Sequence, residues 1–197
     1  GREAVESWQL AVGFPDFRFE KKFNALVSKN LFNKKRVILA LPEIFMNNSG
    51  KVVKSLTTNY LPATRLRSRR WQAGKIPATN LIVIHDDIDL LLGKIKISKK
   101  RGSAGHKGVE SIIKELGTKN FVRVRIGIQP VEKPGTRAKL GAGLAPHRNR
   151  VSGAGFVLEK FNKQEKEKLK EVIKKCYLII EAIIKEGFEK TMQKYNQ

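Results

Sequence analysis

Apolar residues recur along this chain in two rhythms, one close to 3.6 residues and one of 2, and the two take turns from end to end. In residues 3–12, Ala4, Val5, Trp8 and Ala11 fall on one helical face. Strands are predicted near 23–27 and over 36–41, the second ended by Pro42, which lacks the N–H that a sheet ladder needs. A short helix is expected from 49 to about 60. The continuous β-branched run 81–84 reads as a fully buried strand that stops abruptly at His85, Asp86, Asp87 and Asp89. Lysine alternates with isoleucine over 93–98, and apolar residues alternate with Arg123 and Arg125 over 121–128, as in half-buried strands. Between these two lies a helix whose Val109, Ile112, Ile113 and Leu116 are spaced i, i+3, i+4 and i+7, with Gly117 as its C-terminal cap. Beyond Phe161 the pattern is helical nearly to the end, with Glu and Lys interleaved. Alternating strands and helices predict an α/β fold: a single domain over 1–197, with a twisted, largely parallel or mixed β-sheet covered by helices.

Composition narrows this picture. With 197 residues, 41% of them hydrophobic, the chain can bury roughly two thirds of its unfolded surface, enough for one core. Cys176 is the only cysteine, which excludes an intrachain disulfide framework and fits a reducing cytoplasm. No apolar run approaches the ~18 residues that suggest a membrane span, so the expectation is a protein without membrane association. The formal charge of +22 calls for an anionic partner. Segments 61–79 and 133–154 hold five basic residues each and no acidic ones, and read as long surface insertions; without them the remainder is still strongly basic. A loose likeness between Ala63-Thr-Arg-Leu-Arg67 and Gly135-Thr-Arg-Ala-Lys139 is too short for a repeat.

Four constellations carry chemistry. The acidic cluster follows the buried run, where ligands gather in open α/β sheets; a carboxylate there can orient a histidine base or hold Mg2+, or simply cap a solvated turn. The glycine-rich basic loop from Lys99 to Gly108 leads into a helix and offers backbone N–H groups to a phosphate, without the spacing of a nucleotide triphosphatase loop. Phe45-Met-Asn-Asn-Ser-Gly50 combines a ring that can stack on a base with amides that can bind an ester; alternatively it is a capped helix start with Phe45 and Met46 in the core. Lys94, Lys96, Lys99, Lys100, Arg101, Lys107, Arg123 and Arg125 would form one basic patch if their strands pair, suited to a nucleic acid backbone. His147, inside an insertion, has no catalytic setting.

In this order the motifs resemble bacterial-type peptidyl-tRNA hydrolase. Pro42-Glu-Ile-Phe-Met-Asn-Asn-Ser-Gly50, Val83-Ile-His-Asp-Asp-Ile-Asp-Leu90 and Gly105-His-Lys-Gly-Val-Glu-Ser-Ile-Ile113, continued by Phe121-Val-Arg-Val-Arg-Ile-Gly-Ile128, carry the resemblance, which runs along the chain apart from the insertions. It implies hydrolysis of the ester between a peptide and tRNA by a monomeric cytosolic enzyme without metal or organic cofactor. By the same resemblance Asp86 holds the catalytic histidine in its basic form. Phe45 and Asn47 bind substrate, and Arg125 with Lys96, Lys99 and Lys100 clamps phosphate at the tRNA end.

Two departures shape the expectations. The family's base histidine, in a Thr-Arg-His-Asn segment, and the first strand lie before the position that Gly1 matches, so the chain reads as N-terminally incomplete; His85 and His106 belong to other motifs. Lys107 stands where the family has an asparagine, which trades an amide acceptor for a charge suited to phosphate. A non-catalytic RNA-binding relative is the alternative expectation, and a metal-dependent nuclease using Asp86, Asp87 and Asp89 is a third.

Overall fold

The computed structural model describes residues 1–59, 76–129 and 163–196. The predicted insertion 133–154 and most of 61–79 lie outside them, as do His147 and both halves of the short internal likeness; of the first insertion, 76–79 are described and enter a 3-10 turn at Ala78–Asn80.

Helix α1 (Arg2–Ala11) lays Ala4 and Trp8 into the core as its spacing requires. Gln9, polar in the pattern, is buried because its Nε2 donates to the carbonyls of Phe14 and Pro15, at 2.7 and 3.1 Å, and so turns the chain away from the helix. Three strands follow: β1 (Arg18–Glu20), β2 (Ala25–Phe32) and β3 (Lys35–Pro42), an antiparallel sheet in that order. The β2–β3 hairpin closes on Asn33 and Lys34, both at positive φ, the two-residue turn whose twist matches the strands. β1, mostly exposed and three residues long, left no alternation to read.

A 3-10 turn at Met46–Asn48 leads into α2 (Ser49–Asn59), and after the 3-10 turn at Ala78–Asn80 comes β4 (Ile82–Leu91). Then come β5 (Ile95–Lys99), α3 (Lys107–Leu116) and β6 (Val122–Gln129). Gly117 ends α3 with φ 65°, the left-handed cap its position predicts. β4 and β6 run parallel and β5 antiparallel to β6, giving the order β4-β6-β5. The chain therefore forms two three-stranded sheets among the described residues instead of the one mixed sheet expected. Hydrogen-bond pairing, not hydrophobic rhythm, decides which strands are neighbours.

The run 81–84 also needs correction. Ile82, Val83 and Ile84 are only half-buried, and the strand does not stop at His85 but continues to Leu91, with a register shift between Asp87 and Leu91. The polar residues stay in the strand because they find partners on β6 and α3.

Helices α4 (Lys163–Glu186) and α5 (Phe188–Tyr195), separated by Gly187, complete the fold. Val172, Ile173, Cys176, Ile179 and Ile183 of α4 cover Ile97, Val122, Val124 and Ile126, one face of the second sheet. Burial pushes the Cys176 thiol up to about 12, so it serves as a small apolar residue. A second cluster, Val53, Val109, Ile112 and Phe121, joins α2 and α3 to the opposite side.

The outer edge of β5 is closed by one side chain. Asn196 accepts the N–H of Ile97 and donates to its carbonyl, both at 2.8 Å, imitating a neighbouring strand. Replacing Asn196 by Ala strands two main-chain groups and is expected to cost about 1–3 kcal/mol in urea unfolding; a change below about 0.5 kcal/mol would show that water replaces the amide without loss.

Candidate active site

Alternation along β4 sends His85 and Asp87 to one face of the sheet and Asp86 to the other. His85 lies opposite Arg125 in the parallel pair with β6. Asp87 is buried, its Oδ2 accepting from Arg125 Nε at 2.5 Å and its Oδ1 from the N–H of Asp89 at 3.0 Å. A buried carboxylate needs such neutralisation, since desolvation costs several kcal/mol per ion. The cluster is therefore neither a solvated turn nor a set of free carboxylates. Among the described residues no three His, Cys, Asp or Glu side chains group to hold a metal ion.

His85 is buried too, with Nδ1 2.7 Å from the carbonyl of Asp86, so that Nδ1 carries the proton and donates. Burial, reinforced by His106 nearby, brings its pKa down to about 4. Its ring meets that of His106 edge to face, centroids 4.6 Å apart.

His106 caps α3. Its Nδ1 accepts from the N–H groups of Gly108 and Val109 at 3.1 and 3.2 Å, which places the ring proton on Nε2. Nε2 stands 3.5 Å from Asp86 Oδ1. The His106 contact, opposed by burial, holds the Asp86 carboxyl down at about 2, so Asp86 is an anion throughout the working pH range. With one ring nitrogen engaged by the helix and the other by Asp86, His106 offers no lone pair to water. The sequence reading gave it no role; the signal was a histidine directly before a helix start, where Ser, Thr, Asp or Asn is usual.

The Phe-Met-Asn segment meets α3 from the other side. Ser49 Oγ donates to the Met46 carbonyl at 2.8 Å, shaping the 3-10 turn, and Gly50 N–H donates to Ser111 Oγ at 3.0 Å. A Cβ on Gly50 would run into the Ser111 carbonyl oxygen, and one on Gly108 would lie 2.5 Å from Met46 Sδ. These two glycines let α2 and α3 approach closely at their first turns. Phe45 is 83% exposed and Met46 55%, so neither belongs to the core, and Ser49 acts as a donor to the preceding turn. Asn47 is exposed. Beside Phe45 opens a groove of about 860 Å³ bordered by Arg2, Lys22, Glu43, Asn48 and Lys51.

The basic residues divide in two. Lys94 and Lys96 are exposed at the start of β5, and Lys100, Arg101 and Lys107 are exposed along the loop between β5 and α3 and at the helix start. Lys99 is half-buried with Nζ 5.2 Å from the centre of the Phe188 ring. Arg125 turns inward to Asp87, and Arg123, 3% exposed, donates through Nη1 to the Gly102 carbonyl at 2.8 Å. Most lysines of the expected patch thus stay on the surface, while Arg125 pairs with Asp87 and Arg123 is drawn under the loop.

A family model described as Peptidyl-tRNA hydrolase matches residues 2–197. The chain is 37% identical over 175 residues to a peptidyl-tRNA hydrolase of Thermoanaerobacter sp. (strain X514), covering 89% of this chain and 78% of that one. It is 31% identical over 196 residues to that of Clostridium tetani (strain Massachusetts / E88), covering 100% and 86%. The crystal structure of peptidyl-tRNA hydrolase from Acinetobacter baumannii has the same fold, with a TM-score of 0.75 at 24% identity over 99% of this chain and 83% of that chain.

Two expectations follow from the geometry. Folded His85 takes a proton only near pH 4, whereas in the unfolded chain it does so near 6.5, so acid favours unfolding first. Its contribution is complete above pH 6.5 and drains away towards pH 4; between pH 7 and 4.5 the protein should lose about 2–3 kcal/mol that a His85→Asn variant does not lose, read by urea unfolding at each pH. Gly50→Ala should destabilise by about 2 kcal/mol or more, because backbone is what its Cβ meets; a thermal midpoint equal to that of the parent would mean the helices separate freely.

Proposed function

The chain belongs to the peptidyl-tRNA hydrolase family, and on that premise we propose how its side chains divide the work of the reaction. The reaction is hydrolysis of the ester between a peptide and tRNA, which frees the tRNA for reuse. The observation that carries the assignment is that the first turn of α3 touches both motifs at once: Gly108 lies against Met46, and His106 faces Asp86.

In this reading Asp86 is the carboxylate that holds the family's catalytic histidine in its basic form. One carboxylate offers about four lone-pair sites, so the contact with His106 leaves room for a second imidazole. That histidine takes a proton from water as the water attacks the ester carbonyl, and Asp86 stabilises the imidazolium. The amide of Asn47 donates to the oxyanion that forms. The proton then passes to the departing ribose oxygen.

Phe45 offers a ring face to the terminal base, beside the groove. Lys96, Lys99, Lys100 and Lys107 track the phosphates. Arg125 joins them through the four N–H donors of its two NH2 groups, its plane fixed by the Asp87 bond at Nε. Lys107 supplies charge where the family has an amide. Water activated by a side-chain base requires neither metal nor organic cofactor. The substrate is made in the cytoplasm, where on this reading the protein acts as a monomer, one domain over 1–197. No helix among the described residues is long and apolar enough to cross a membrane. The alternative of a non-catalytic RNA-binding relative is not favoured by the family match.

Asp86→Asn should lower kcat for N-blocked aminoacyl-tRNA by about 100-fold or more while leaving tRNA affinity within about threefold, since it removes the charge that supports the base and not a phosphate contact. A loss below about tenfold would remove Asp86 from this role.

A further inference from the structure

The loop of residues 100–106 has an improbable shape. Lys100 and Ala104 sit at φ 58° and 52°, and Gly105 at 83°. Each left-handed non-glycine residue costs roughly 1–2 kcal/mol, so the conformation must be held from outside. Two main-chain bonds hold parts of it, Lys100 N–H to the Lys119 carbonyl at 3.1 Å and His106 N–H to the Ser103 carbonyl at 3.1 Å. Its middle is held by Arg123, whose guanidinium rises from β6 to Gly102, between the two left-handed turns.

Arg123 is an expensive way to make one hydrogen bond. It is almost wholly buried, with a second arginine on the same face of its strand and only Asp87 to offset the pair. An apolar side chain would fill the same space at lower cost. What an apolar side chain cannot do is donate to Gly102 and leave a positive charge beneath a loop that carries Lys100 and Arg101 on its outer side and leads to Lys107.

We propose that Arg123 is a positioning residue for tRNA: by holding Gly102 it sets the loop in the shape that presents Lys100, Arg101 and Lys107 to phosphates. This rests on the family reaction for its substrate, and it adds a residue that does not itself touch the RNA.

Arg123→Met and Arg123→Lys separate this role from a merely structural one. The Met variant removes an expensive buried charge and should unfold at the same temperature as the parent or higher. It should nonetheless bind deacylated tRNA about tenfold more weakly at 0.1 M salt, with a log-affinity against log-salt slope shallower by about one to two units. Its KM for N-blocked aminoacyl-tRNA should rise by a similar factor while kcat falls less than about threefold, and the amides of residues 101–105 should exchange faster. The Lys variant, still able to donate to Gly102, should recover most of the affinity. The proposal is overturned if the Met variant keeps parental affinity and slope. It is equally overturned if affinity and melting temperature fall together and Lys rescues neither. Failure of a protein that includes the family's base histidine to hydrolyse the ester would instead strike the proposed reaction, and the binding and exchange measurements would still decide the role of Arg123.

Discussion

The site hangs on the way α3 begins. Four N–H groups at a helix start have no partner within the helix, and here two of them are satisfied by the imidazole of His106. That choice has consequences a serine or aspartate cap would not have. An imidazole that accepts at Nδ1 must carry its proton at Nε2, and Nε2 faces Asp86. The cap therefore orients a dipole at the carboxylate and favours its ionised form. The same first turn receives Met46 on Gly108, and the Gly50–Ser111 bond fixes how close α2 can come. Helix start, anion and the turn at Met46 are positioned by one another.

Beneath this lies a layer that most folds would fill with apolar side chains. The face of β4 and β6 turned towards the basic loop carries His85, Asp87, Arg123 and Arg125. The layer survives because its members answer each other: Asp87 neutralises Arg125, His85 remains uncharged, and Arg123 bonds the loop above. The opposite face carries Val122, Val124 and Ile126 against α4, and that apolar contact supplies the stability which lets the polar face be kept for positioning. The surface lysines have no such restraint, and long flexible cations on a pre-shaped loop suit a backbone of phosphates more than a single fixed ligand.

Much of this was legible in the sequence. The rhythms located α1, α2, α3, β5 and β6 to within a residue or two, because each buries one stripe or one face against a neighbour. Gly117 announced the end of α3 because only glycine enters the left-handed region freely. Asp86, Phe45 and Asn47 were marked by their motifs, and the latter two lie exposed, outside the core. The one-sheet expectation failed where periodicity is silent, since the pattern says which face of a strand is buried and nothing about which strand lies beside it. β1 was missed because three residues, two of them exposed, carry no period.

What the sequence by itself determined is whatever depends on neighbours a few residues away: helix faces, caps, turns, total charge and the motifs. The tertiary structure decided the partners. It carried β4 through a stretch of charges by setting Arg125 against Asp87, a pair 38 residues apart. It made a helix cap into the neighbour of a carboxylate, and it turned two arginines inward while leaving the lysines outside. Such choices depend on desolvation, which is set by what else is packed around a group. A charge in a sequence has no environment until the chain has folded.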